Sequence, residues 1–214
     1  KDKPYLLIGS PMCKAFCTWQ RLNALRRDPA QVRKEYLKAM VHLRFVCELY
    51  QLQIDSGRYF LHEHPAQASS WSENCVQRVR SRKDVDRIVA DQCQWGCVSL
   101  DGAPIKKPTG FMTNSTELLT TLQRRCTGKD GYCSNGRRHQ PCSGKHAGKA
   151  ALYSQQLCRA ILEGATRQLA SDGEMRRGEV GILSPYLYPE DILHTALDAA
   201  SHEASGKYRD DLTG

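Results

Sequence analysis

Residues able to do chemistry gather in three short segments, each at the end of an apolar run. Tyr5-Leu-Leu-Ile8 reads as a buried strand that stops at Gly9-Ser10-Pro11, and Cys13 follows on the turn beside Lys14. A thiol on such a turn, near a helix start and basic side chains, is where a thiolate is favoured and attacks an electrophile. Tyr59-Phe60-Leu61 leads into His62-Glu63-His64-Pro65. A strand-end carboxyl kept protonated by a dry site supplies a proton to the group under attack, the part read for Glu63. Arg87-Ile-Val-Ala90 runs into Asp91-Gln92-Cys93-Gln94-Trp95-Gly96. In an open parallel sheet ligands bind beyond the carboxyl ends of the strands, so the three segments are expected on one rim. The plain alternative for Cys13 is a small buried hydrophobe, and the companion Glu63 is what favours catalysis. His62 and His64 read as a hydrogen-bonded polar rim without a metal, and Cys17, Cys93 and Cys97 as packing residues.

A second group lies in a Gly-rich, basic break at 126–148. Cys126-x6-Cys133-x5-His139-x2-Cys142-x3-His146 offers soft and borderline ligands at close spacing, and Cys126, Cys133, His139 and Cys142 are the expected zinc ligands. There is no tight Cys-x2-Cys knuckle, so the spacing favours a flexible basic loop with incidental cysteines, and the zinc site is the alternative. Arg124, Arg125, Lys129, Arg137, Arg138, Lys145 and Lys149 crowd this loop, and Arg78, Arg80, Arg82 and Lys83 cluster on a preceding helix. With 31 Lys plus Arg against 23 Asp plus Glu, a net charge of +8, the chain is expected to bind nucleic acid, DNA rather than RNA; a solvated basic face is the alternative.

The elements that position these groups follow from periodicity. Val32, Tyr36, Met40, Leu43, Cys47, Tyr50 and Ile54 recur at helical spacing, between Asp28-Pro29 and Gly57. Ser70-x-x-Glu73 resembles a capping box before a helix with Cys75, Val76 and Val79, and Asn114-x-x-Glu117 caps one with Leu118, Leu119 and Leu122. Phe111-Met-Thr113 reads as a fourth strand, and a further helix runs from about Tyr153 to Leu169. Alternating strands and helices predict an α/β fold with a mostly parallel sheet and helices on both faces. Residues 1–170 form the expected domain, and 171–214 a polar linker with a helical tail over Pro189–Glu203. No apolar run approaches the roughly 20 residues of a bilayer span, which argues against membrane insertion. With no export leader read at the start, the ten cysteines are expected in a reducing compartment, nuclear or cytoplasmic, as buried, metal-bound or catalytic groups. The missing initiator Met reads as a fragment or a processed piece.

Gly9-Ser10-Pro11-Met12-Cys13-Lys14-Ala15-Phe16-Cys17 resembles the catalytic loop of DNA cytosine 5-methyltransferases, and Phe60-Leu61-His62-Glu63-His64-Pro65 their Glu-Asn-Val segment. Trp95-Gly96 and Lys106-Lys107-Pro108-Thr109-Gly110-Phe111-Met112-Thr113-Asn114 follow where such enzymes carry a Gly-x-x-Gln-x-Arg-x-Arg strand. The resemblance implies the catalytic half of a Rossmann-like methyltransferase fold. It implies that Cys13 adds to carbon 6 of cytosine, that Glu63 donates to ring nitrogen 3, and that S-adenosylmethionine supplies the methyl group. Ser10, His64, Lys107, Thr109 and Asn114 would contact the target strand or brace the loop, and Pro11 would lie against the cofactor. Met12 stands where the family has Pro, His64 where it has Asn, and the family's glycine-rich cofactor loop has no counterpart. The order of Leu-Ile-Gly-Ser-Pro, His-Glu-His-Pro, Lys-Lys-Pro-Thr and the closing Asp-Asp-Leu-Thr-Gly also resembles a retrotransposon polyprotein segment upstream of a reverse transcriptase. A non-catalytic nucleic-acid-binding domain assisting that polymerase is the alternative function.

Overall fold

The computed structural model describes residues 3–174, without the side chains of Trp19, Arg21 and Leu22. The tail helix expected over Pro189–Glu203 lies outside the described residues. The chain divides into a unit Lys1–Gln168 and a unit Leu169–Gly214. The first is an α/β unit around four strands: β1 (Leu6–Gly9), β2 (Tyr59–Pro65), β3 (Asp86–Asp91) and β4 (Pro108–Thr113), in the order β1-β2-β4-β3.

The sheet is mixed, where a mostly parallel one was expected. β1 pairs parallel with β2, but β4 runs antiparallel to both β2 and β3. Parallel pairing needs a crossover that returns the chain to the opposite end of the sheet. The segment between β3 and β4 makes no such return: it holds a 3-10 turn at Gln92–Trp95 and a Val98–Pro104 bridge, then enters β4 from the end at which β3 stopped. β1, β2 and β3 still point the same way, so their carboxyl ends share a rim, and the first residues of β4 join it.

Among the described residues are six α-helices, α1 (Thr18–Ala24), α2 (Pro29–Asp55), α3 (Asn74–Arg80), α4 (Thr116–Leu122), α5 (Lys145–Lys149) and α6 (Gln155–Ser171), of which α2, α3, α4 and α6 supply the core against the strands. Strand alternation splits the core in two. Phe60 and Met112 pack with Met40, Leu43, Cys47 and Tyr50 of α2 and Val76 and Val79 of α3. Leu61 and Phe111 pack with Leu118 and Leu122 of α4 and Leu157, Ala160 and Ile161 of α6. Burying each large apolar side chain contributes about 1.5–3 kcal/mol. Helix α2 starts where its sequence indicates: the Asp28 carboxylate accepts from the Ala30 N–H at 3.0 Å, with Pro29 at the first helical position. Gly9 lets β1 press on α2, since a Cβ there would lie 1.9 Å from the Tyr50 hydroxyl.

Two expected capping boxes are used differently. Ser70 lies in a 3-10 turn, its hydroxyl bonded to His64 Nδ1, and Glu73 accepts from the Tyr36 hydroxyl at 2.9 Å. The cap of α4 is Ser115, accepting from the Leu118 N–H at 3.2 Å, one residue after Asn114.

The two histidines of β2 are not a rim. Both are fully buried on the α2 face, their rings 5.2 Å apart and against Tyr50, Phe16 and Trp71. Burial depresses His62 to about 3 and His64 to about 4, so both are neutral in the fold. Unfolded histidines titrate near 6.5, so the protons go to the unfolded chain, and the stability present above that value is lost as pH falls towards 4. Each costs about 1.4 kcal/mol per pH unit in that window. Urea unfolding between pH 7 and 4.5 is expected to show this acid slope, and His62→Gln to remove about half of it.

Candidate active site and metal centre

The rim carries two constellations. In the first, Glu63 lies on the α6 face of β2 and is buried, with one carboxyl oxygen, Oε1, lacking a hydrogen-bond partner. The Ser10 and Tyr153 hydroxyls, 2.7 Å apart, lie against the same carboxyl. Burial pushes Glu63 above the usual carboxylate range, against the opposing pull of Lys107, Tyr153 and Ser10. Cys13 sits half-buried on the turn after β1. Burial raises its thiol first, the nearby Glu63 carboxyl next, and the Lys107 cation offsets part of that rise. Lys107 has a left-handed backbone (φ 31°), a conformation costing roughly 1–3 kcal/mol for a non-glycine residue, and its ammonium donates to the Ala150 carbonyl at 2.7 Å. A thiol, a protonation-prone carboxyl, two hydroxyls and a cation thus influence one another at the rim.

The other residues read as site groups hold this arrangement or lie away from it. Both ring nitrogens of His64 are engaged within the chain, Nδ1 with the Ser70 hydroxyl and Nε2 with the Pro11 carbonyl at 2.9 Å, so it pins the Cys13 loop. Pro11 and Thr109 are buried; the Thr109 hydroxyl accepts from Gln92 Nε2 at 2.9 Å and donates to the Lys107 carbonyl at 3.1 Å. Asn114 is at the far end of β4, where its side chain accepts from the Phe60 N–H and donates to the Arg58 carbonyl. Tyr153 was not singled out in the sequence, where it reads only as the first apolar residue of a helix.

The second constellation corrects the expected ligand set. Cys93, Cys126, Cys133 and His139 bring their ligand atoms within 4.8 Å of one another and could hold a metal such as zinc. Cys142 is not among them; it packs against Cys97, Ile105 and Ala150. Cys93, read as packing, takes its place because β3 delivers it to the rim on the turn after Asp91. The Cys126 and Cys133 sulfurs are 3.8 Å apart and Cys126 Sγ is 3.7 Å from His139 Nε2. Ligands about 2.3 Å from a tetrahedral zinc stand roughly 3.8 Å from each other, so the spacing fits.

Surrounding donors are arranged for sulfur that carries charge. The Ser134 N–H points at Cys126 Sγ at 3.4 Å, and Gln94 Nε2 donates towards Cys93 and Cys133 at 3.4 and 3.5 Å. Burial opposes ionisation of Cys126, yet the N–H groups of Gly128 and Ser134 outweigh it and bring the thiol down to about 6. A side chain at Gly128 would collide with the Tyr132 carbonyl at 2.0 Å, so only glycine allows this turn. Buried Asp91 anchors the loop to β3: its Oδ2 accepts from the Cys126 N–H at 2.9 Å and pairs with Arg125 at 3.2 Å.

Comparison with known proteins leaves this geometry to speak for itself: no family model, no curated protein and no solved structure matches the chain. No described helix is long and apolar enough to cross a membrane.

Proposed function

We propose that this chain is the nucleobase-activating half of a Rossmann-like, cytosine 5-methyltransferase-like domain acting on DNA. The observation that carries the reading is the placement of Cys13 beside a buried Glu63 whose carboxyl resists ionisation and keeps one oxygen without a partner. Cytosine calls for this pair, because a sulfur adding to carbon 6 needs the ring to take a proton at nitrogen 3. The Cys13 proton leaves to solvent, the sulfur bonds carbon 6, and the Glu63 proton moves to nitrogen 3. The enamine formed takes a solvent deuteron at carbon 5, loses the original hydrogen, returns a proton to Glu63 and expels the sulfur. Ser10 and Tyr153 orient the carboxyl, and Lys107 favours charge on sulfur.

S-adenosylmethionine, the donor implied by the resemblance, finds no matching cradle. None of the described strand-to-helix turns carries a glycine-rich loop, and Pro11 is buried with its carbonyl bonded to His64. No methyl-transfer step is therefore derived. The test is deuterium exchange at carbon 5 of cytosine in duplex DNA, which needs the thiol and the carboxyl alone. The raised Cys13 favours a second reading, a non-catalytic nucleic-acid-binding domain; DNA bound without exchange is the result that supports it.

The ion that suits the four-ligand cluster is zinc, in a structural role. Three sulfurs and one imidazole complete a tetrahedron with no position left for substrate, and such ions close a loop that cannot bury a core of its own.

A further inference from the structure

Between the two constellations lies a cavity of about 720 Å3 whose walls hold cations and no carboxylate. Lys106, Lys107 and Pro108 form one wall and Gly131, Arg138 and the metal-site His139 face them. Among the described residues Lys106 and Arg138 have no side-chain hydrogen bond or ion pair. Lys107 commits one of its three donors to Ala150, and its charge is close enough to Glu63 to favour that carboxyl's ionised form. Like charges converging on a concave wall repel one another, and an anion between them removes that cost.

The wall carrying Arg138 is fixed in place. Tyr132 and Arg138 form an antiparallel bridge, the His139 N–H donates to the Gly131 carbonyl at 2.8 Å, and the Gln140 N–H donates to the Pro104 carbonyl at 2.8 Å. The neighbouring Arg137 guanidinium donates to the Gly102 carbonyl at 2.8 Å. The metal ligand therefore sits in the same short segment as the cavity's cation, and an ion held by His139 would add to the hydrogen bonds that place Arg138.

We propose that this cavity holds a backbone phosphate of nucleic acid, flanking the nucleotide presented to Cys13 and Glu63, and that the metal-closed loop supplies half of the grip. The proposal rests on the reading that the rim acts on a nucleobase, since Lys107 belongs to both places. A nucleic-acid phosphate suits the cavity better than a free anion because the segment that carries Arg138 is itself basic, with Lys129 and Arg137 close by in sequence.

The test is fluorescence anisotropy of the whole chain with a labelled duplex DNA across a range of NaCl concentrations. Lys106→Ala with Arg138→Ala is expected to weaken binding about tenfold at moderate salt and to lower the slope of log K against log salt by about 0.9, one phosphate contact. Lys38→Ala, exposed on α2 and absent from the cavity walls, is expected to leave the slope unchanged. Chelation of the metal should reproduce the loss, and the double variant should then lose little more. An unchanged slope in the double variant overturns the proposal, as does a wild type that binds no DNA. Competition by millimolar inorganic phosphate that erases the difference between wild type and variant overturns the nucleic-acid source and leaves a small-anion site. Deuterium exchange at carbon 5 of cytosine is followed on the same wild-type and double-variant samples, so failure of the cavity and failure of the nucleobase chemistry read out separately.

Discussion

Cys13→Ser is expected to abolish deuterium exchange at carbon 5 of cytosine, and Glu63→Gln to lower it about 10²–10⁴-fold, the usual contribution of a positioned general acid. Serine keeps the shape of the turn and loses the polarisable nucleophile. Glutamine keeps the shape and polarity of the carboxyl and loses the proton to be given. Stability should move the other way for Glu63→Gln. The Glu63 carboxyl is held above its unfolded value by burial, so the fold binds a proton that the unfolded chain has already released. Such a group destabilises progressively as pH rises through its folded value, whereas glutamine carries no such penalty. Thermal unfolding at pH 8 is therefore expected to show a higher Tm for Glu63→Gln than for the wild type, with the difference closing towards pH 4.5. A variant that loses exchange and loses stability alike would identify Glu63 as a packing residue.

The metal centre gives the other large effect. Cys93→Ser, remote in sequence from the basic loop, is expected to abolish stoichiometric zinc, whereas Cys142→Ser, inside that loop, should retain it. Structural zinc in small domains supplies an apparent 10–16 kcal/mol at neutral pH, so losing a ligand should leave 124–140 susceptible to protease. Asp91→Asn, which keeps the size of the buried side chain but weakens its hold on the Cys126 N–H, should cost about 10–100-fold in zinc affinity. Cobalt substitution provides the direct readout, since tetrahedral cobalt bound by thiolates has intense visible absorption that Cys93→Ser should remove. Zinc retained by Cys93→Ser and lost by Cys142→Ser would restore the ligand set expected from the loop's spacing alone.

The acid slope expected from His62 and His64 reports on the packing under the Cys13 loop, where His64 bonds the Pro11 carbonyl, and the salt slope on the cation-lined cavity beside the metal centre.

Periodicity and local chemistry determined much of this protein. Seven apolar positions at helical spacing give α2, with Asp28 and Pro29 at its start, and the short apolar runs give all four strands. The parallel pairing of β1 with β2 likewise follows from the helix between them, which brings the segments after Ile8 and Leu61 to one end of the sheet. What only the tertiary structure decided is pairing over long sequence separations. The direction of β4 depends on whether the segment before it crosses the sheet, a property of path and not of composition. Caps are shared for the same reason: Ser70 and Asn114 have cap-like spacing but serve His64 and the Phe60 strand instead. The metal set shows the limit most plainly, because close spacing favours Cys142, while β3 carries Cys93 to within bonding reach of Cys126, Cys133 and His139. A sequence states which side chains can bind a metal or give a proton, but distance between them is fixed by strand order and loop path, which burial of the whole core selects together.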